Sequence, residues 1–445
     1  MGIADDGQGQ RMYELVRELF PFCRSITGDG VRRTLESVGR HIPLEIKEVA
    51  SGTPVLDWTV PNEWNIRDAW IKNRAGERVV DFRRSNLHVV SYSIPVHRWV
   101  PIDELREHLF SLPDRPELIP YRTSYYKESW GFCIPHSLLE SLTDAEYEVC
   151  VDSTLETGYL TYGEYVVPGD TELEVLISSH VCHPSLCNDN LSGISAAVFL
   201  AQWLQSLPAR RYTYRFLFIP VTIGSITWLA MNRDRVGRVR HGLVLTCVGD
   251  GAPFTYKKSR QGDVEIDRVV QHVLRHSEAA FRVQEFFPYG YDERQFCSPG
   301  FNLAVGCLMR STHGTFPEYH TSADDLSFVR PEHLFESLAR LVDVIEVLEG
   351  NRVYVNLKPE GEPQLGRRGL YDAIGGDSHA ANRQLAMLWM LNMSDGKHTL
   401  LEIAEMAKVP FEEMRAIAEL LEQHALIARA DSLDEPNARL AMVRS

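Results

Sequence analysis

Residues able to bind a metal gather in two short runs of the chain. The first is SSHVCHPSLCNDNLSG, residues 178–193, which holds His180, His183 and Asp189 within ten positions. Imidazole and carboxylate are standard zinc ligands, and a catalytic zinc takes about three from the protein while keeping a further position open. The second run is FPEYHTSADD, residues 316–325, with Glu318, His320 and Asp324. Taken singly, a loop histidine is ordinarily a solvated or capping group, and Asn188, Asp189 and Ser192 are residue types that cap helices. Two such runs, each just past an apolar stretch, point instead to side chains that converge on one metal.

Other polar groups are placed to shape a pocket. Arg24, Ser25 and Thr27 lie in CRSITGDG, Arg260 in YKKSRQG, and Asp292, Glu293 and Arg294 in YDERQ. An arginine there can clamp a substrate carboxylate through two parallel hydrogen bonds, although a surface ion pair is as ordinary a role for each. Tyr125, Tyr126 and Trp130 are read as lining the mouth, against the commoner fate of aromatic residues in a core.

These residues need a scaffold, and the apolar pattern supplies one. EVLISS (174–179), YRFLFIPV (214–221), GLVLTCV (242–248) and NLAVGCLM (302–309) are continuous apolar runs of strand length. Such runs are typical of strands buried on both faces of a parallel sheet. Between them lie helix-like stretches at 194–207 and 264–277, and Pro331 opens a long helix that Gly350 closes. Alternation of this kind predicts an α/β core, a mostly parallel sheet flanked by helices. Each metal-binding run follows a strand, where ligands bind in open α/β sheets. Residues 51–165 differ: β-branched and aromatic runs broken by Pro and Gly read as a β-rich segment of their own. Residues 352–380 are polar and Gly-rich and read as a linker. The remainder, 381–445, reads as three short helices in a winged-helix-like arrangement.

The length of 445 residues predicts two or three domains. There is no apolar run long enough to span a bilayer and no basic-then-apolar leader, and the eight cysteines form no CxxC pair. These features set the expectation of a cytoplasmic protein with reduced thiols and no membrane partner. A net charge of −15 disfavours nucleic acid. The C-terminal region from 359 carries nine Lys and Arg against fourteen Asp and Glu. It is therefore read as a packing module through which a homo-oligomer could form, not as a DNA reader.

HVCHPSLCNDNLSG resembles the H…NDNxSG signature of M28-type zinc peptidases, and EYHTSADD resembles their closing H-T-x-x-D. FCRSITGDGVRRTL, LDWTVPNEWNIRDAWI, LHVVSYSIPVH, TSYYKESWGFC and GYDERQF resemble a bacterial aminopeptidase-like family (DUF4910), whose members carry an inserted β domain (DUF2172) and a C-terminal winged helix. The likeness covers nearly the whole chain. It implies a phosphorylase/hydrolase-like core over 1–50 and 166–351, and zinc held by His180, Asp189 and His320, with His183 a further candidate. Asp189 corresponds to the carboxylate that bridges two zincs in relatives. Those relatives follow the next strand with two glutamates, a general base and a ligand. Here IPVTIGSI puts Val221 and Thr222 in that place, and the carboxylate ligand after the strand at 242–248 is absent near Thr246. One zinc is therefore expected. Valine cannot take the proton from the attacking water, a contribution worth about 10²–10⁴-fold. Three explanations stand: another acid (Glu318, Asp292 or Glu293) serves as base, the base has been removed, or the site binds without hydrolysis. The reading is a single-zinc hydrolase of a small amide or peptide-like substrate, with a catalytically degenerate zinc-binding protein as its alternative.

Overall fold

The protein is seen in a computed structural model that describes residues 4–370 and 378–432. The chain opens with helices α1 (Gln8–Leu19) and α2 (Asp29–Gly39) and strand β1 (Glu45–Ala50). Strands β2 (Glu63–Lys72), β3 (Arg78–Asp81), β4 (Val96–Pro101) and β5 (Glu146–Glu156) form an antiparallel sheet in the order β3-β2-β5-β4. The alternation follows, with strands β6 (Tyr159–Val167), β7 (Glu174–His180), β8 (Thr213–Ile219), β9 (Val239–Leu245), β10 (Phe254–Lys257), β11 (Phe281–Gln284) and β12 (Val305–Met309). Helices α3 (Gly193–Ser206), α4 (Ile223–Met231), α5 (Glu265–His276), α6 (Glu293–Phe296) and α7 (Pro331–Gly350) lie among and after them.

Eight strands make the central sheet, in the order β1-β6-β8-β7-β9-β12-β10-β11. Its middle, β8-β7-β9-β12, is parallel, while β1, β6 and the β12–β10 pair run antiparallel. The sheet is thus mixed, flanked by helices. Strand β6 belongs to this sheet, whereas the sequence reading carried the β-rich segment on to 165. Alternating texture marks β6 as a strand but does not say which strand it pairs with. The same apolar cluster runs from Ile71 and Val149 of the smaller sheet to Leu217 and Val305 of the central one, so the two share a core.

All seven residues of β7 are buried. One of them is charged, and its partners come from the neighbouring strands. Arg215 of β8 donates to both oxygens of Glu174 at 2.7 and 2.6 Å and to Glu164 of β6 at 2.8 Å. Trp228 adds a donor to Glu164 at 3.0 Å. Charge inside the sheet is therefore paired and hydrogen-bonded, the condition under which burial is tolerated.

The chain clusters into two compact units. One holds the described residues up to Asp267 together with Ala279–Leu341, and contains both sheets above. The other holds Arg268–Glu278 and the described residues from Val342 on. In this second unit β13 (Val353–Asn356) is the middle strand of a small sheet, between β14 (Asp395–Thr399) and β15 (Ile427–Arg429). The stretch read as a linker thus supplies a strand of the winged helix; its part at 371–377 lies outside the described residues. Helices α8 (Ser378–Met393), α9 (Leu400–Ala407) and α10 (Phe411–Gln423) complete the unit. Thr399 and Glu402 start α9 with reciprocal caps, satisfying two backbone donors that the first turn leaves open. Among the described residues no helix is long and apolar enough to cross a membrane.

Candidate metal centre

Strand β7 ends on His180, and the turn at Cys187–Ser192 returns Asp189 beneath it before α3 begins. The side chains of NDNLS divide their work. Asn188 donates to Asp250 at 2.6 Å and accepts from Gly249 N at 2.9 Å. Asn190 donates to Ser179 Oγ and Leu245 O, both at 3.0 Å, and accepts from Cys247 N at 3.2 Å. Ser192 donates to Asn188 O at 2.7 Å and accepts from Val248 N at 3.0 Å. None of the three caps α3 with its side chain; they tie the turn to the end of β9 and leave Asp189 facing inward. Gly193 permits this, because a Cβ there would stand 2.5 Å from Leu245 O.

Asp189 is fully buried and is surrounded by imidazoles. His180 Nε2 lies 3.0 Å from its Oδ1, and His320 Nε2 lies 3.0 Å from its Oδ2. His183 Nε2 is 3.8 Å from Oδ2. The His180 and His183 rings are 4.9 Å apart, and His183 and His320 5.2 Å. His320 has a left-handed backbone, φ 54°, an uncommon conformation for a non-glycine residue. Asp324, offered by sequence as a further ligand, instead accepts from the backbone N–H groups of Asn188 at 2.6 Å and Asp189 at 3.0 Å. The second run thus holds the first in place as well as adding His320.

Burial resists the charge on Asp189, but the imidazoles around it hold its carboxyl well below the usual range. Burial also keeps His183 well below the ordinary imidazole range, so its ring is neutral at pH 7 despite the attraction of Asp189. A cavity of about 240 Å³ opens beside the cluster. His183, His320, Val221, Tyr125, Tyr126 and Arg294 all line it. The register of β7 on β8 pairs His180 with Ile219, which places Val221 at the same sheet end.

The remaining residues singled out by sequence are spread more widely. Arg24 is buried and donates to the carbonyls of His183 at 2.7 Å and Leu19 at 2.6 Å, bracing the ligand loop from behind. Ser25 bonds Ser91 at 2.7 Å, and Thr27 bonds Tyr92 at 2.7 Å. Thr27 also faces a separate cavity of about 670 Å³. Glu293 pairs with buried Lys257 at 2.7 Å. Asp292 accepts from Ser225 at 2.7 Å, and burial, helped by the neighbouring Glu293, pushes its carboxyl up to about 7. Neither acid lines the cavity, and Glu318 does not either. Arg260 is exposed on Asn302, and Trp130 stacks on His108 at 3.7 Å, both outside the lining. Sequence reasoning missed the ring cage. Tyr121 packs on His183 and His320 at 5.1 and 5.0 Å, Tyr291 stacks on His180 at 5.1 Å, and Tyr319 stacks on His320 at 4.0 Å. Tyr291 and Tyr319 each precede a residue that was singled out; Tyr121 carried no local signal.

Known proteins share the fold. The crystal structure of a "putative peptidase" from Clostridium acetobutylicum superposes with a TM-score of 0.90 at 50% identity, covering 95% of this chain and 97% of that one. A "Putative polysaccharide biosynthesis protein with aminopeptidase-like domain" from the same organism is 52% identical over 93% of this chain and 95% of its own. A zinc aminopeptidase from Bacillus subtilis and an M28 peptidase precursor from Shewanella amazonensis share the fold at 12% and 13% identity. Their TM-scores are 0.56 and 0.55; they cover 76% and 80% of this chain, which spans 94% and 97% of theirs. A winged helix-turn-helix family matches residues 352–429. Residues 13–351 match the family described as a domain of unknown function (DUF4910), and the chain belongs to that family.

Proposed function

We propose that the protein is a hydrolase of small amide or peptide-like substrates that works with one zinc ion. The observation that carries this reading is the convergence of three imidazoles on one fully buried carboxylate at the carboxyl end of a parallel strand. The donor set fits a cation. Asp189 has no Lys or Arg partner among the described residues, and the nitrogens that face it are imidazole Nε2 atoms of three histidines. Nitrogen and carboxylate oxygen are the ligands zinc takes, and three of them leave room for substrate. His180, Asp189 and His320 would hold the ion, which supplies Lewis acidity to the scissile carbonyl and to the attacking water. His183 lines the cavity and stands further from Asp189 than the other two rings. It is the imidazole of the cluster free to hydrogen-bond and orient the attacking water.

The second reading is a zinc-dependent binding protein without turnover. It is favoured by Val221, an apolar side chain in a cavity lined by no Asp or Glu among the described residues. Metal analysis with a turnover assay separates the two. Purified protein should carry about one zinc per chain, with His180→Ala and His320→Ala each losing most of it. Full occupancy in the double variant would sink the centre; a zinc-loaded protein inert on a broad amide panel would favour the second reading.

A further inference from the structure

Among the described residues, the cavity beside the metal centre has one permanently charged side chain, and its sign is informative. Arg294 on the short helix α6 lines the cavity, and its Nε is buried with no hydrogen-bond partner. Of the neighbouring acids, neither hydrogen-bonds to it: one oxygen of Glu293 accepts from Lys257 Nζ at 2.7 Å and one of Asp292 from Ser225 Oγ at 2.7 Å, while Asp292 feels the Arg294 charge. A guanidinium held among aromatic walls, with its buried Nε donor unmet, is a site for a carboxylate or similar planar anion. No Asp or Glu lines the cavity among the described residues, and the carboxylate behind its wall, Asp189, is engaged by the imidazoles. A protonated α-amino group would meet the Arg294 guanidinium across the cavity, a repulsive contact.

We propose that the site selects an amine-blocked substrate with a free carboxylate: an N-acyl amino acid, its carboxylate on Arg294. This rests on the hydrolase reading above and narrows its substrate class. The amide would lie at the His180–Asp189–His320 end. Trp58 and Tyr126, whose rings sit 5.4 Å apart at the rim and are half exposed, would receive the acyl group. At about 240 Å³ the cavity suits a ligand below ordinary drug size. The reaction balances without a co-reactant. Water oxygen bonds to the acyl carbon, the C–N bond breaks, and both water protons end on nitrogen, giving an acyl carboxylate and a free amino acid with its ammonium group.

The test is equilibrium binding by calorimetry to the zinc-loaded protein, independent of turnover. Three probes are compared: N-acetyl-L-phenylalanine, its neutral amide, and L-phenylalaninamide, which has a free amine and no carboxylate. The acid should bind at least about tenfold tighter than either amide, the size expected of a charge-assisted pair. Arg294→Ala and Arg294→Gln should erase that preference, with zinc content and melting temperature as controls. Aromatic walls can also hold an ammonium, so tightest binding of phenylalaninamide overturns the inference. So does undetectable binding of the acid at millimolar concentration, or an unaltered preference in folded Arg294 variants. If those variants do not fold, the wild-type ranking decides. Turnover separates the two claims: acid-selective binding without hydrolysis keeps the specificity and ends the hydrolase reading, whereas hydrolysis of free-amine peptides without acid preference does the reverse.

Discussion

Val221 is where one side chain decides between two kinds of protein. It follows Pro220 at the end of β8 and lines the cavity with His183 and His320. Glutamate there would project a carboxylate toward the attacking water from the sheet end that carries His180. If proton transfer is the limiting deficit, Val221→Glu should raise turnover by ~10²-fold or more, measured on N-acyl amino acids. Zinc content should stay the same, because position 221 is assigned no ligand role. A folded, zinc-loaded Glu variant no faster than wild type would show that the base is already present or that chemistry is not performed. The cluster of His180, His183, Asp189 and His320 was legible in sequence because imidazole and carboxylate gather at close spacing past two apolar runs, and the resemblance to M28-type peptidases drew the two runs together. The roles of Arg24 and Asp324 were not. Each holds backbone of the ligand loop, His183 O for one and Asn188 and Asp189 N–H for the other, and backbone contacts leave no residue-type signature.

Among the elements, the strands of the central sheet stood out as apolar runs, but the charges inside them did not. Glu164, Glu174 and Arg215 look like interruptions when read one strand at a time. The sheet order puts β6, β8 and β7 side by side and makes them one buried network. Removing the cation alone strands two buried carboxylates, and breaking a buried pair in this way costs about 3–5 kcal/mol. Arg215→Met should therefore lower the urea midpoint and melting temperature sharply. The double variant Arg215→Met/Glu174→Leu should recover part of the loss, since partners in one network do not act additively. A single variant as stable as wild type would mean that water reaches these groups. The same logic explains why β6 and β13 were assigned by sequence to an insertion and a linker. Local pattern identifies a strand; its membership depends on partners far along the chain, Phe218 for Gly163 and Ala428 for Val355.

At the scale of the whole molecule, charge bears on what the winged helix is for. Acidic residues outnumber basic ones by 61 to 46 over the chain. The excess extends into the element that a DNA-reading winged helix would present. Helix α10 carries Glu412, Glu413, Glu419 and Glu422 against Arg415, and Arg415 is itself paired with Glu412 at 2.6 Å. Affinity for duplex DNA is supplied largely by cations that neutralise phosphates, each contributing a slope of about −0.9 to log K against log salt. A helix with four glutamates adds repulsion instead. Fluorescence anisotropy of the full chain with a labelled duplex, at low and at physiological salt, should show no saturable binding at micromolar protein. The helix would then be left with protein surface as its partner, read by sedimentation of the same sample as a concentration-dependent change of mass. Sub-micromolar binding that weakens steeply with salt would overturn this, and would require basic groups other than those of α10 to make the phosphate contacts.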